Sequence, residues 1–100
     1  MVTLFFLSKL KPKADAKKYE RWVREVDYPT SKKLKSIKSY KAHKIHGPLM
    51  GEQVYDYIEV IEVTSLEDYK KDLTTAAAKK IFADWATFIG EYVADYGEAL

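Results

Sequence analysis

Four consecutive apolar residues, Leu4-Phe5-Phe6-Leu7, set the hardest constraint on this chain. Successive side chains of a strand point to opposite faces, so an unbroken apolar run within residues 2–10 predicts a strand covered on both sides. Lys11-Pro12-Lys13 ends it, because proline cannot donate to a sheet ladder. Any fold must therefore supply two layers against one sheet.

The rest of the pattern supplies one of them. Asp15 predicts a helix N-cap. Tyr19, Trp22, Val23 and Val26 follow at i, i+3, i+4 and i+7, the stripe of an amphipathic helix. Pro29 disfavours helix at Tyr28, which predicts an end near Asp27, with one further turn available over 31–35. Residues 36–46 and 52–63 read as strands joined by the turn Gly47-Pro48-Leu49-Met50-Gly51, a hairpin with a five-residue loop. Across it Lys38, Lys41 and Lys44 are expected to meet Asp56, Glu59 and Glu62. Ser65 followed by Glu67 and Asp68 opens a second helical stretch with Tyr69 and Leu73 on its buried face. Thr74-Thr75 is a weak point that can act as a hinge. Helix resumes over 76–89 with Ile81, Phe82, Trp85, Phe88 and Ile89 on one face, Gly90 terminates it, and 91–97 form a last strand.

This β-α-β-β-α-β order places the chain in the α+β class. It predicts a ferredoxin-like domain over residues 1–100: four antiparallel strands with both helices on one face. The second layer is then missing. A second copy of the chain is the simplest cover, giving a homodimer whose two sheets close like a barrel, a dimeric α+β barrel.

Composition narrows the function classes. The absence of cysteine excludes disulfides, thiol catalysis, zinc–thiolate sites and iron–sulfur clusters. The net charge of +2 hides an asymmetry: residues 1–50 carry 13 Lys/Arg against 4 Asp/Glu, and residues 51–100 carry 4 against 11. Pairing of the two halves accounts for this. With only Arg21 and Arg24 available for base readout, no nucleic-acid partner is expected. No apolar run approaches the ~20 residues of a membrane span, and no basic leader precedes an export cleavage site, so a cytoplasmic protein is expected. Neither a phosphate loop, a nucleophile elbow nor a dinucleotide fingerprint occurs. His43 and His46, three apart on a strand, face opposite ways and cannot share a metal. Neither metal nor cofactor is expected.

The residues suited to chemistry are few. Asp27, at a predicted helix C-terminus, meets an unfavourable macrodipole that would raise its pKa toward acid/base work; the alternative is a turn-forming aspartate. His43 shares a strand face with Ile37, Ser39, Lys41 and Ile45 and, if that face looks into the cleft, is a proton shuttle near neutrality. Eight tyrosines are many for this length and suit a pocket for a flat heterocycle, with Tyr40 and Tyr57, on paired strands, the preferred lining. Glu59 is expected to pair with a lysine. Trp22 and Trp85 lie on the buried stripes and can back the same pocket.

The segment Tyr19-x-x-Trp22 through Asp27-Tyr28-Pro29, the strand start Ser36-Ile37-x-x-Tyr40 and the Trp85-bearing helix resemble the dimeric α+β barrel superfamily. There an acidic residue or histidine two places before a proline often ends helix 1 at the mouth of a cleft. Over nearly the whole chain the sequence is similar to the RedY-like (HapK-like) proteins of prodiginine-type pigment pathways. The resemblance implies a small cofactor-free protein of secondary metabolism. It would bind an aromatic pyrrole or indole intermediate and assist a condensation, cyclisation or imine-processing step, with Asp27 as acid/base and His43 as its partner. Alternatives of other classes are a carrier dimer without chemistry and a cofactor-independent monooxygenase of the same superfamily.

Overall fold

In the computed structural model, which describes all 100 residues, strands β1 (Val2–Leu10), β2 (Ile37–Lys44), β3 (Tyr57–Val63) and β4 (Ile89–Gly97) form one antiparallel sheet of order β2-β3-β1-β4. On one face lie α1 (Ala16–Trp22), a π-helical turn (Val23–Asp27), α2 (Tyr28–Ser31), α3 (Leu66–Asp72) and α4 (Ala76–Phe88). This is the expected ferredoxin-like arrangement. No helix is long and apolar enough to cross a membrane.

Local signals place the helix starts. The Asp15 carboxylate accepts from the backbone N–H of Lys17 and Lys18, Ser65 Oγ accepts from Asp68, and Thr75 Oγ1 from Ala78. Each satisfies donors that an isolated helix end leaves orphaned. Thr74 and Thr75 also donate to the carbonyls of Lys71 and Asp72, which closes α3 and sets the break before α4. Gly90 does not act as a left-handed cap. It lies inside β4, without the left-handed backbone such a cap requires.

The first helix does not end at Asp27. Tyr28 N–H reaches back five residues to Val23 O, making a π turn, and the helix then continues through Pro29 to Ser31. Proline lacks an N–H, and in a regular helix its ring would press on the carbonyl four residues before it. The wider turn relieves that clash. It also straightens the inner stripe. In a regular helix, residues four apart drift by roughly 40° per step. Here Tyr19, Val23, Asp27 and Ser31 all stay buried on the sheet side.

Strand β2 carries the second irregularity. Ile37 pairs with Val63 and Ser39 with Glu62, so Lys38 is an inserted residue. An insertion exchanges the faces beyond it. Ile37, Tyr40 and Ala42 therefore turn inward, whereas Ser39, Lys41 and His43 are exposed on the opposite face. The hairpin loop is also longer than the five residues expected, running from 45 to 56. None of the expected lysine–carboxylate pairs forms across it: Lys44 bonds Glu20 of α1 at 3.1 Å, Glu62 accepts from Ser39, and Asp56 accepts from Leu10 N–H.

The inner face of the sheet and the helices enclose one core, including Leu4, Phe6, Tyr19, Ile61, Val63 and Trp85. On the outer face, Phe5 and Leu7 of β1 stand beside Val60 and Ile58 of β3, half-buried with no layer over them. The caps at Asp15 and Ser65 should be additive stabilisers. Asp15→Ala and Ser65→Ala are each expected to cost about 1 kcal/mol in urea unfolding, and their double variant about the sum; an unchanged midpoint would remove the caps from the account.

Candidate functional site

The core contains two carboxylates. Asp27 comes from the π turn and is 3% exposed; Glu59 comes from the middle of β3 and is 5% exposed. In the sheet, Glu59 is flanked by Phe6 of β1 and Ala42 of β2, so no neighbouring strand offers it a cation. Its partners come from elsewhere. Tyr19 OH donates to Glu59 Oε1 at 3.2 Å, and Trp85 Nε1–H, at 3.1 Å, shares its proton between that oxygen and Tyr19 OH. Ser31 OH donates to Asp27 Oδ1 at 3.0 Å. Between the two acids stands Tyr40, whose hydroxyl oxygen is 2.5 Å from Asp27 Oδ2 and 3.1 Å from Glu59 Oε2.

The cluster floors a cavity of about 40 Å³, room for a few waters. Its walls are apolar and aromatic: Phe6 and Ile61 from the sheet, Leu34 and Ile37 from the connection into β2, and Tyr69, Leu73, Ile81 and Phe82 from α3 and α4. No lysine, arginine or histidine lines it. Burial dominates the electrostatics. It pushes Glu59 up to about 7, helped by the charge of Asp27 and opposed by the hydrogen bonds of Tyr40, Trp85 and Tyr19. Burial likewise raises Asp27, against the bonds from Tyr40 and Ser31. The hydroxyls of Tyr40 and Tyr19 are driven upward by burial and then by the Glu59 charge, so both remain protonated donors.

Of the residues singled out in the sequence, Asp27, Tyr40 and Trp85 are brought together here. The cause of the Asp27 shift differs from the expectation: the helix continues past it, and desolvation replaces the macrodipole. Tyr57 lies one cavity away. Its hydroxyl donates to Glu20 at 2.7 Å, in a space of about 120 Å³ shared with Tyr28, Arg24 and Lys44. Glu20 is held below the ordinary carboxylate range, first by that bond and then by Lys44. Trp22 packs behind Tyr19 and against Phe88, with ring centres 6.1 and 5.8 Å away and its indole N–H buried without a partner. His43 is not part of the site. It pairs with Ile58 on the outer face because of the Lys38 insertion. Nor does any group of three or more His, Asp or Glu side chains converge on a metal position.

Glu59 is the main residue that sequence reasoning placed wrongly, as a lysine partner. The available signal was alternation: Tyr57, Glu59, Ile61 and Val63 share one face of β3, and that face is otherwise apolar. Tyr19 belongs both to the packing stripe and to the set of eight tyrosines suited to a pocket, but its hydroxyl also needs a buried acceptor, which Glu59 supplies.

A family model described as "HapK: REDY-like protein HapK" matches residues 2–100. The crystal structure of HapK from Hahella chejuensis superposes with a TM-score of 0.83 at 28% identity, covering 100% of this chain and 93% of that one. An EthD-family protein from Bacillus halodurans gives 0.79 at 22% identity, over 100% and 99% of the two chains. A dimeric ferredoxin-like protein of unknown function from Thermobifida fusca gives 0.79 at 14%, over 98% and 90%. The latter two likenesses speak for the fold alone. No curated protein matches the sequence.

The buried acids make stability depend on pH in an unusual direction. Glu59 binds its proton more tightly folded than unfolded, so stability is greatest while the group is protonated and falls as pH rises through about 7. The unfolding free energy from urea titrations should decline from about pH 5 to about pH 8, by an amount on the order of 2–3 kcal/mol. Glu59→Gln should flatten that decline. A parent protein whose stability rises over this range would contradict the placement of both acids.

Proposed function

Because the chain belongs to the REDY-like HapK family, we propose that it binds a flat aromatic heterocycle of pyrrole or indole type above the Asp27–Tyr40–Glu59 cluster. There it assists proton transfer in a condensation, cyclisation or imine-processing step of secondary metabolism. The observation that carries this reading is a pair of acids with perturbed protonation, held by phenol and indole donors, at the floor of an aromatic-walled cavity. Asp27 is the acid/base. Its second carboxylate oxygen is held by Tyr40, and a substrate N–H or activated C–H would give its proton to this group. Trp85 and Tyr40 orient the ring, with Phe6 and Phe82 packing its faces.

The cavity is smaller than such a ligand, so the ligand must part the wall formed by α3 and α4. Support for that motion is the break at Thr74-Thr75, where the ladder tightens to bonds three residues back, from Thr74 N–H to Lys71 O and Thr75 N–H to Asp72 O, and α3 stops. The outer face of the sheet completes the reading. Phe5, Leu7, Val60 and Ile58 would be covered by a second copy, making a homodimer of about 23 kDa, twice the 11.6 kDa chain.

Tryptophan emission tests the ligand class. Trp85 donates into the cluster, so a panel of pyrrole, bipyrrole and indole aldehydes, imines and acids should contain one class that quenches saturably. Asp27→Asn should keep that quenching and lose turnover by about 100- to 10,000-fold. Retained turnover would remove Asp27 from the mechanism, and a panel with no saturable member would overturn the heterocycle reading. Sedimentation equilibrium at the monomer mass would separately remove the dimer.

A further inference from the structure

Hydrogen-bond donors at the cluster do not suffice for two ionised carboxylates. Tyr40 has one hydroxyl proton and two carboxylate oxygens within reach, 2.5 and 3.1 Å away. A phenol donates once. The short contact takes the proton to Asp27. The remaining contact, Tyr40 oxygen to Glu59 Oε2, would then set an oxygen lone pair against a carboxylate unless Glu59 itself carries a proton. With that proton every contact is satisfied in one direction. Glu59 donates to Tyr40, Tyr40 donates to Asp27, and Ser31 supplies the other Asp27 oxygen. Glu59 Oε1 accepts from Tyr19 and Trp85.

We propose that Glu59 is the proton store of the site, holding one proton while Asp27 is ionised and exchanging it with Asp27 through the Tyr40 hydroxyl. The exchange is a double hop. The Glu59 O–H bond breaks as a new Tyr40 O–H bond forms, and the old Tyr40 O–H bond breaks as Asp27 gains its proton. The charge moves from Asp27 to Glu59, and no other reactant is needed. Asp27 is a base in one arrangement and an acid in the other. One residue can thus take a proton from one atom of a ligand and return a proton to another.

The surroundings favour a single shared proton. Around Glu59 the titratable groups are Tyr19 from α1, Asp27 from the π turn, Tyr40 from β2 and Tyr69 from α3, all neutral or acidic; α4 contributes Trp85 and β1 contributes Phe6. No cation compensates a second charge, and two like charges this close and this buried do not both ionise until the pH rises past neutrality. Glu59 acts on the ligand through Asp27, so it is a positioning residue for the reaction proposed above, on which its role in turnover rests.

Side-chain carbon NMR of the carboxyl groups tests this without any ligand. In the full-length protein the Glu59 Cδ resonance should titrate near neutral pH. In Asp27→Asn its midpoint should fall by about one pH unit or more, because the opposing charge is gone. The reciprocal variant guards against a failure of that protein to fold: in Glu59→Gln, whose amide keeps a donor toward Tyr40, the Asp27 Cγ midpoint should fall by a similar amount. Glu59→Gln should also lower kcat at least about tenfold with KM little changed. A Glu59 already ionised at pH 5, or midpoints indifferent to removal of the other acid, would overturn the proposal. Since the titrations need no ligand, they stand or fall apart from the heterocycle reading.

Discussion

The structure turns on one hydroxyl. Tyr40 sits between two carboxylates that the fold has removed from water, and the charges of those acids are otherwise unanswered by any cation. Burying an unpaired carboxylate is among the costlier things a domain of this size can do. The remaining parts of the core follow from that cost. Tyr19 and Trp85, buried aromatic residues whose polar tips each need a partner, point them at Glu59. Ser31 is placed one helical turn after Asp27 and answers its other oxygen. The aromatic wall of the cavity lowers the polarity around the cluster and so strengthens each of these bonds.

Much of the fold was legible from local chemistry. Strand and helix order, the caps at Asp15 and Ser65 and the break at Thr74-Thr75 all depend on residues close together in sequence. The site was less legible, because it depends on two single-residue insertions. A proline after a helical stripe reads as a stop, and nothing in the spacing of Tyr19, Trp22, Val23 and Val26 announces a π turn that lets the helix run on. Likewise Ser36-Ile37-Lys38-Ser39 contains no glycine or proline to mark the irregularity at Lys38, and without it the alternation puts His43 inward and Tyr40 outward. Glu59 was misplaced for a different reason. A basic half facing an acidic half suggests cross-strand ion pairs, but the lysines of β2 lie on the exposed face or at its end, and Glu59 lies inside.

The two faces of the sheet show different kinds of incompleteness. The inner face is closed by helices and holds the polar cluster. The outer face presents adjacent apolar rows from β1 and β3 with nothing of this chain over them. Residues next to one another in sequence serve both: Phe5 and Phe6, or Ile58 and Glu59, lie on opposite sides of the same strands. The unbroken apolar run of β1 is thus explained by its geometry, one side packed by helices and the other awaiting a cover. A substitution on the outer face would reach the acids only through the backbone of β1 and β3.

The two insertions are better explained by the site than by packing. A regular helix ending before Pro29 and a regular β2 would keep more ladder bonds and would require neither a widened turn nor a bulge. Either change would dismantle the cluster. Without the π turn, Asp27 and Ser31 would rotate progressively away from Tyr19 and Val23. Without the extra residue in β2, Tyr40 would face outward. Both irregularities, on elements distant in sequence, meet at the contact between Tyr40 and Asp27. A core built for stability alone would gain by replacing the acids with apolar groups of similar size. Two departures from regular structure that converge on one buried contact between a phenol and a carboxylate instead mark a place where the fold keeps polar groups that packing alone would not select.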